Sequence, residues 1–526
     1  MLARDTASGS TREPLLLGLD VGSTHAKAGL FALDGRRVAF TSRPMPLRRT
    51  SDGGGSFDPE EVCRLVQDAI RELVDAEAPR SIAAVGVASM AESGLLLDAS
   101  TGAPRSHLIP WFDTTAAPDA QRLAAMDDPF ERFRRTGLSM SYKAGTAKIL
   151  SQVRTRGQSV TAGAKWLFTA DFIVYRLTGV LQTDPTLAAR THAFDIHRRK
   201  WDEEWLERAS VYCDVFPRVA PSGSVAGEIT PLAAEECGLT AGMPVAVAGH
   251  DHIVAAYALG ILGPGRVLDS MGTAESIVGA LPQRELTRTD FEAGLVFGPH
   301  IAADTFFWMG ALSASGGSIE WLRTMLADPY VSYEHLLSLL ARAPAGPSSI
   351  LYFPYLAGAQ APQPDGSARG AFVGLKASHT ASDLALAVLQ GTAYEVERIR
   401  RSAASIAGPI DDVVAVGGGT RIRRWLQIKA DVSGRPIVAS PHAEATALGA
   451  ALLAGLGAGV YRDEADSRAR VENAPFGERS TVFQPDPVEH RLHVRLLEGP
   501  YTALQTALRE ASHGLASALR EEEGDA

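Results

Sequence analysis

Cysteine is nearly absent from this chain: there are three in 526 residues, Cys63, Cys213 and Cys237. An odd, sparse set without metal-type spacing builds neither a disulfide framework nor a cysteine-ligated metal site. It fits a reducing compartment, so a cytoplasmic location is expected. Long apolar runs are missing too. The longest, residues 243–262, carries His250, Asp251 and His252 in its middle, which a bilayer would penalise, so no membrane partner is expected. Residues 1–13 lack the apolar centre of a signal peptide and read as a flexible N-terminal tail. No basic block exists: 51 Lys and Arg stand against 61 Asp and Glu, a net charge of −10, so nucleic acid is not an expected partner. The chain also has no G-x-S-x-G elbow, no G-x-x-x-x-G-K-[ST] loop and no H-R-D triplet. A serine-hydrolase triad, a P-loop and a protein-kinase catalytic loop are thereby excluded.

What is present is an ordinary globular composition, 45% hydrophobic and 21% charged, with length for two domains of about 200–250 residues. Leu15-Leu16-Leu17-Gly18-Leu19 reads as a buried strand that runs into Asp20-Val21-Gly22-Ser23-Thr24. Residues 26–33 and 36–41, joined at Asp34-Gly35, follow as two further strands. Asp58 and Pro59 open a helix with an apolar stripe at Val62, Leu65, Val66, Ala69, Ile70, Leu73 and Val74, as an N-cap and a first-turn proline should. Strands are expected at 82–87 and 245–248, the latter leading into a helix over 253–259. The opening theme then returns: a strand over 266–270, the small-residue turn Met271-Gly272-Thr273-Ala274, and a strand from Glu275. Two such units predict related lobes facing one site. Near the end, a strand over 413–416 meets Gly417-Gly418-Gly419 and a helix over 421–432 closed by Gly434. The alanine-rich stretch 444–456 reads as a last helix of that second lobe.

Glycine-rich turns leave backbone N–H groups free to point at phosphate oxygens. Residues 20–24 and 269–273 both offer this, and each brings a carboxylate suited to a hydrated Mg²⁺. Alone, either is more often a plain turn; as a repeated pair they carry more weight. Gly417-Gly418-Gly419 fits a nucleotide cradle at a helix start as well as it fits close helix–strand packing. Asp251, at the end of a buried strand, is placed to take a proton from a substrate hydroxyl. His250 and His252 invite a metal, but they are expected to point apart, and hydrogen bonding is preferred.

Together these residues resemble the FGGY carbohydrate kinases, whose fold is that of actin and hexokinase. The resemblance runs from about Leu15 to about Gly457. Its most specific piece is Gly417-Gly418-Gly419 with Trp425-Leu426-Gln427-Ile428-Lys429-Ala430-Asp431-Val432-Ser433-Gly434-Arg435-Pro436-Ile437. It implies an α/β fold of two actin-like (ribonuclease H-like) lobes with a cleft between them: 14–256 for sugar and catalytic base, 257–495 for nucleotide, and 496–526 as a C-terminal helix and acidic tail. It implies ATP and Mg²⁺ as cofactors and a small sugar or polyol as substrate, and it allows a homodimer. By resemblance Asp251 is the general base and Asp20 sits at the metal. Gly22, Ser23, Thr24, Gly272, Thr273, Gly316, Gly418 and Gly419 contact the nucleotide, and Met90, Glu92, Trp111, Asp113 and His252 contact the sugar.

The sugar contacts depart from known patterns. Xylulokinases have Met-His-Gly at Met90-Ala91-Glu92, and glycerol kinases have Arg-Glu at Ala91-Glu92, while Tyr142 matches a glycerol-contacting tyrosine only with a one-residue slip. Gln360, Thr115 and Gln390 replace an arginine, an arginine and a glutamate that are common in the family. The expectation is therefore a kinase acting on a small ketose, such as a pentulose, or on a polyol. The alternative is an actin-like ATPase or sugar sensor that transfers no phosphate.

Overall fold

The computed structural model describes residues 13–49, 54–77, 81–327, 330–472 and 480–524; most of the expected N-terminal tail lies outside these residues. Apolar runs bounded by small-residue turns do form the first strands, Leu15–Val21, His25–Phe31 and Arg37–Pro44. They pair as an antiparallel meander. The helix Pro59–Glu77 starts where Asp58 Oδ1 accepts the N–H groups of Glu60 and Glu61 at 3.0 and 3.2 Å. Its stripe buries Val62, Val66, Ala69, Ile70 and Leu73 against the sheet. Strands Ile82–Ser89 and Pro244–His250 then add in parallel, and Val225–Glu228 closes the edge.

The second sheet repeats this order. Arg266–Met271 lies antiparallel to Glu275–Pro282, which pairs with Thr305–Leu312, and parallel to Asp412–Val416, which pairs with Ile437–Ala439. Val296–Pro299 and Thr481–Phe483 complete its two edges. In both sheets the three parallel strands are consecutive and the antiparallel ones flank them, so the repeat read in the turns extends through the topology.

Two helices join the sheets. Asp251–Ala258 continues from the first sheet and buries Ile253, Ala255 and Ala256 against Leu268, Val278 and Phe307 of the second. The alanine-rich helix Ala445–Gly457 follows the second sheet but packs on the first, which corrects its expected place in the second lobe. Glycines make this possible. A Cβ on Gly18 would sit 1.8 Å from the Ala447 carbonyl oxygen, and one on Gly86 would sit 1.9 Å from that of Ala450. Bare Cα atoms let the helix lie directly on the strands. A helix enclosed in this way has no solvent face to make polar, which is why it is apolar all round.

The division between lobes is less sharp than a single cut near residue 256. Phe133, Ala188, Ala189, Phe194 and Ile196, from the first half, belong to the second lobe's core, and the Phe297 N–H donates to the Gly137 carbonyl at 2.8 Å. The C-terminal segment is likewise part of that lobe. Tyr501 is buried there and stacks on Phe353 with ring centres 4.4 Å apart, and the last helix, Thr502–Gly524, runs through the expected acidic tail.

Candidate active site

The candidate residues gather where the parallel strands of both sheets end, the usual place for a site in an α/β fold. At the end of the first strand Asp20 lies directly across the hairpin from Lys27, so their side chains share a face. Lys27 Nζ is 4.0 Å from Asp20 and 2.8 Å from Glu444, which immediately precedes the alanine-rich helix. Asp20 Oδ1 is buried with no hydrogen-bond partner. Burial raises the Asp20 carboxyl to about 7, with Lys27 opposing and the Asp251 and Glu444 carboxylates adding to the rise. The turn itself is open. Among the described residues no acceptor meets the N–H groups of Ser23 and Thr24.

After the strand Ile82–Ser89, Met90 is buried in the core with its N–H on the Val21 carbonyl, so it forms wall and offers no polar contact. Glu92 follows in the left-handed region (φ 61°). Its carboxylate is ion-paired with Arg190, whose Nε donates at 3.0 Å. Burial opposes ionisation of Glu92, but Arg190 and Lys143 together hold its carboxyl below the usual range. Buried Lys148 fixes the loop by donating to the carbonyls of Glu92 and Pro110, both at 2.6 Å, and burial pulls its own pKa down to about 7. Pro110 leads into Trp111, whose half-buried ring has the Lys143 ammonium 5.1 Å from its centre. Asp113 is largely occupied: Thr115 donates to one carboxylate oxygen from its N–H and hydroxyl, and the Gly55 N–H reaches the other at 3.4 Å. That use explains Thr115, and Gln390 likewise serves the fold, accepting from Ser348 N–H and donating to the Gly346 carbonyl.

Asp251 stands where strand turns into helix, its Oδ1 accepting the His252 N–H at 2.8 Å. The two histidines do not point apart as expected. The corner breaks the extended alternation, so the His250 and His252 rings are 5.5 Å apart and one donor atom from each of His250, Asp251 and His252 falls within 4.8 Å of the others. His250 Nε2 is 3.3 Å from Asp251 Oδ1, and burial drives this imidazole well below its ordinary pKa, so it is neutral. Burial raises the Asp251 carboxyl; His252 and Lys27 oppose, and Glu92 adds. Behind the corner, Thr186 Oγ1 accepts the His250 N–H at 2.9 Å and donates to Asp184, which Ser222 also reaches at 2.5 Å.

Across the cleft, the exposed turn Gly272-Thr273 receives the start of the helix Gly316–Leu326: Gly316 N–H meets the Gly272 carbonyl at 3.1 Å and Gly317 N–H meets that of Thr273 at 2.9 Å. A Cβ on Gly316 would lie 2.5 Å from the Gly272 oxygen, so this glycine serves the docking. The glycine triplet divides in the same way. Gly417 (φ 92°) and Gly419 press on Met271, while Gly418 is exposed with nothing within 4 Å of a Cβ. The carboxylate expected beside this turn is elsewhere. Asp269 precedes Gly272 by three residues, whereas Asp20 precedes Gly22 by two, and one residue flips a strand side chain to the other face. Asp269 therefore points into the lobe, where Lys429 Nζ donates to it at 2.7 Å and also pairs with Glu275.

Sequence reasoning missed Lys27, Arg190, Lys143 and Glu444. Only Lys27 had a signal, since hairpin pairing places it opposite Asp20. No described helix is long and apolar enough to cross a membrane.

The profile of the FGGY family of carbohydrate kinases, N-terminal domain, matches residues 15–258, and that of its C-terminal domain matches residues 270–458. A xylulose kinase of Bacillus subtilis is 27% identical over 453 residues, 85% of this chain and 89% of that protein. A glycerol kinase of Gloeobacter violaceus is 31% identical over 488 residues, 91% and 96% of the two chains. The crystal structure of a ligand-bound xylulose kinase from Lactobacillus acidophilus superposes with a TM-score of 0.85 at 24% identity, covering 95% of this chain and 100% of that one. With both domains matched in order along one two-lobed chain, this protein belongs to the FGGY family and is an ATP-dependent carbohydrate kinase.

Proposed function

We propose that this kinase transfers the γ-phosphate of ATP to a hydroxyl of a small ketose or polyol held at Glu92, Trp111 and His252, with Asp251 as the general base. The observation that carries this reading is the environment of Asp251. It is a carboxylate at a strand end, fixed by the His252 N–H, with its pKa raised by burial, and it lies within electrostatic reach of Glu92 on one side and Asp20 on the other. A base whose pKa is lifted toward the working pH accepts a proton most effectively. Neutral His250 lies beside it, with Nε2 3.3 Å from Asp251 Oδ1, and adds no positive charge that would cancel that of the base.

In the proposed step the substrate hydroxyl gives its proton to Asp251 as its oxygen bonds to the γ-phosphorus. The bond from that phosphorus to the bridging oxygen breaks and ADP departs. The free N–H groups of Ser23 and Thr24 meet phosphate oxygens from one lobe and the Gly272-Thr273 turn meets them from the other, while Gly418 leaves room for the nucleoside. Asp20 fits a divalent cation, because its buried Oδ1 lacks a partner and its carboxyl is strained by two neighbouring carboxylates. Mg²⁺ held there would neutralise charge on the phosphate oxygens. The two-lobed frame allows closure over substrate, which excludes water.

The other reading, nucleotide binding without phosphotransfer, is set aside by membership in a kinase family. The test is a panel of tetroses, pentuloses, hexuloses, their polyols, the corresponding aldonates and glycerol in an ADP-release assay. At least one should accelerate ADP release and yield a product heavier by one phosphoryl group in the mass spectrum. ATP turnover that ignores every member of the panel would overturn the assignment.

A further inference from the structure

The charged groups around Trp111 do not balance. Arg190 is taken up by Glu92, and Lys148 by two backbone carbonyls. Asp113 is satisfied by Thr115 and Gly55. Lys143 remains. It is half-buried, and its ammonium lies on the Trp111 ring with no hydrogen bond and no ion pair among the described residues. Its nearest anionic influence, Glu92, is already neutralised by Arg190, and burial and Arg190 together lower the Lys143 pKa despite Glu92. The Trp111 ring shields one side of this cation, and with no counter-ion its remaining donors are free to bind an anion.

We propose that the acceptor is a polyhydroxy acid of the aldonate type, whose carboxylate is bound by Lys143 while its hydroxyls reach Glu92 and Asp251. This rests on the kinase reading of the cleft given above and replaces its neutral acceptor by the corresponding acid. A carboxylate supplies the missing charge and a charge-assisted hydrogen bond, and Trp111 offers its ring to the carbon chain. A neutral polyol would leave the ammonium facing hydroxyls alone. One free ammonium matches a monoanion better than a phosphate, which would call for several donors.

The experiment compares aldonates of four to six carbons with the alditols and ketoses of the same length, using the full-length protein, Lys143→Gln and Lys143→Arg. Wild type should favour an aldonate in kcat/KM. Lys143→Gln should raise KM for that acid about 10- to 100-fold with kcat changed less than about threefold, and should leave KM for ATP unaltered. Lys143→Arg should restore part of the loss, and unchanged ATP binding certifies that the variants fold. If wild type prefers a neutral sugar and Lys143→Gln leaves that preference intact, the acid acceptor is wrong while the kinase reading stands. If neither class drives ADP release, the catalytic reading fails, and calorimetry of wild type with the aldonates alone decides the inference. Binding abolished by Lys143→Gln upholds it; no binding to wild type overturns it.

Discussion

The two cleft turns are built on the same strand–turn–strand plan, yet one presents charge and the other presents bare backbone. In the first lobe Asp20 stands two residues before Gly22 and faces Lys27, Glu444 and Asp251 with an oxygen left unpaired. In the second, the corresponding residue is Ser270, and Asp269, one residue earlier, is turned inward to Lys429 and Glu275. A shift of one residue thus decides whether a buried carboxylate serves the cleft or the core. Each aspartate keeps one buried oxygen without a partner, but the first lobe holds its cation 4.0 Å from Asp20, where chemistry can use the carboxylate, and the second pairs Lys429 directly with Asp269 at 2.7 Å.

The sharpest break of this contrast is a pair of substitutions. Asp251→Asn should lower kcat by about 10²–10⁴ with ATP affinity and melting temperature nearly unchanged, since it removes a base and keeps the shape. A variant keeping more than half of wild-type turnover would refute the role. Lys429→Met should do the reverse. It leaves Asp269 and Glu275 buried without their cation and should cost about 3–5 kcal/mol, read as a lower-melting transition and faster hydrogen exchange at residues 266–282. Burial and Asp269 already raise the Glu275 carboxyl to about 8, so proton uptake there tempers the loss toward the lower figure. Equal damage to both properties in both variants would erase the distinction between the lobes.

The sequence carried the frame well because its signals are local. The strands expected at 15–19, 82–87, 245–248 and 266–270 are present, each running one or two residues further, to Val21, Ser89, His250 and Met271, and the cap at Asp58 fell where expected. What it carried poorly depends on direction and distance. Nothing in the run 269–273 announces which way Asp269 points until Gly272 is aligned with Gly22. The convergence of His250 and His252 depends on a strand turning into a helix between them. Arg190 meets Glu92 across 98 residues, and no local pattern records that pairing. Helix Ala445–Gly457 looked like the end of its own lobe because sequence order is silent about a crossing; Gly18 and Gly86, which receive it, read as ordinary strand glycines.

A third test uses proton linkage at Asp20. Its carboxyl titrates near 3.8 when unfolded and at about 7 when folded, so between those values the folded protein holds the extra proton. Stability of the nucleotide-free protein therefore falls as pH rises from about 4 through 7 and stays low above. Asp20→Asn should flatten that slope and raise stability at pH 8 by about 2–4 kcal/mol, at about 1.4 kcal/mol per pKa unit, while abolishing most activity. The sign is opposite to that of Lys429→Met. A melting temperature for Asp20→Asn below wild type at pH 8 would show that Asp20 is already compensated, and the contrast would lose its first half.

The smallest effect is expected where the second lobe acts through backbone alone. Gly272 lies outside the left-handed region, and a Cβ there would meet only the Ala274 carbonyl oxygen, at 3.0 Å. Gly272→Val therefore needs a shift of a few tenths of an ångström in an exposed turn, and the fold should tolerate it. The branched side chain would nevertheless stand beside the Thr273 N–H, which among the described residues has no acceptor and is open to a phosphate oxygen. Loss of close approach at one such donor should raise KM for ATP about 10- to 30-fold, with sugar binding by calorimetry within about twofold of wild type. If sugar affinity falls in step with ATP affinity, the substitution has disturbed the helix start at Gly316, and the turn is a structural joint between strand and helix. If ATP alone is affected, the second lobe binds nucleotide through main-chain donors, and its buried Asp269–Lys429–Glu275 cluster exists to hold that backbone in place.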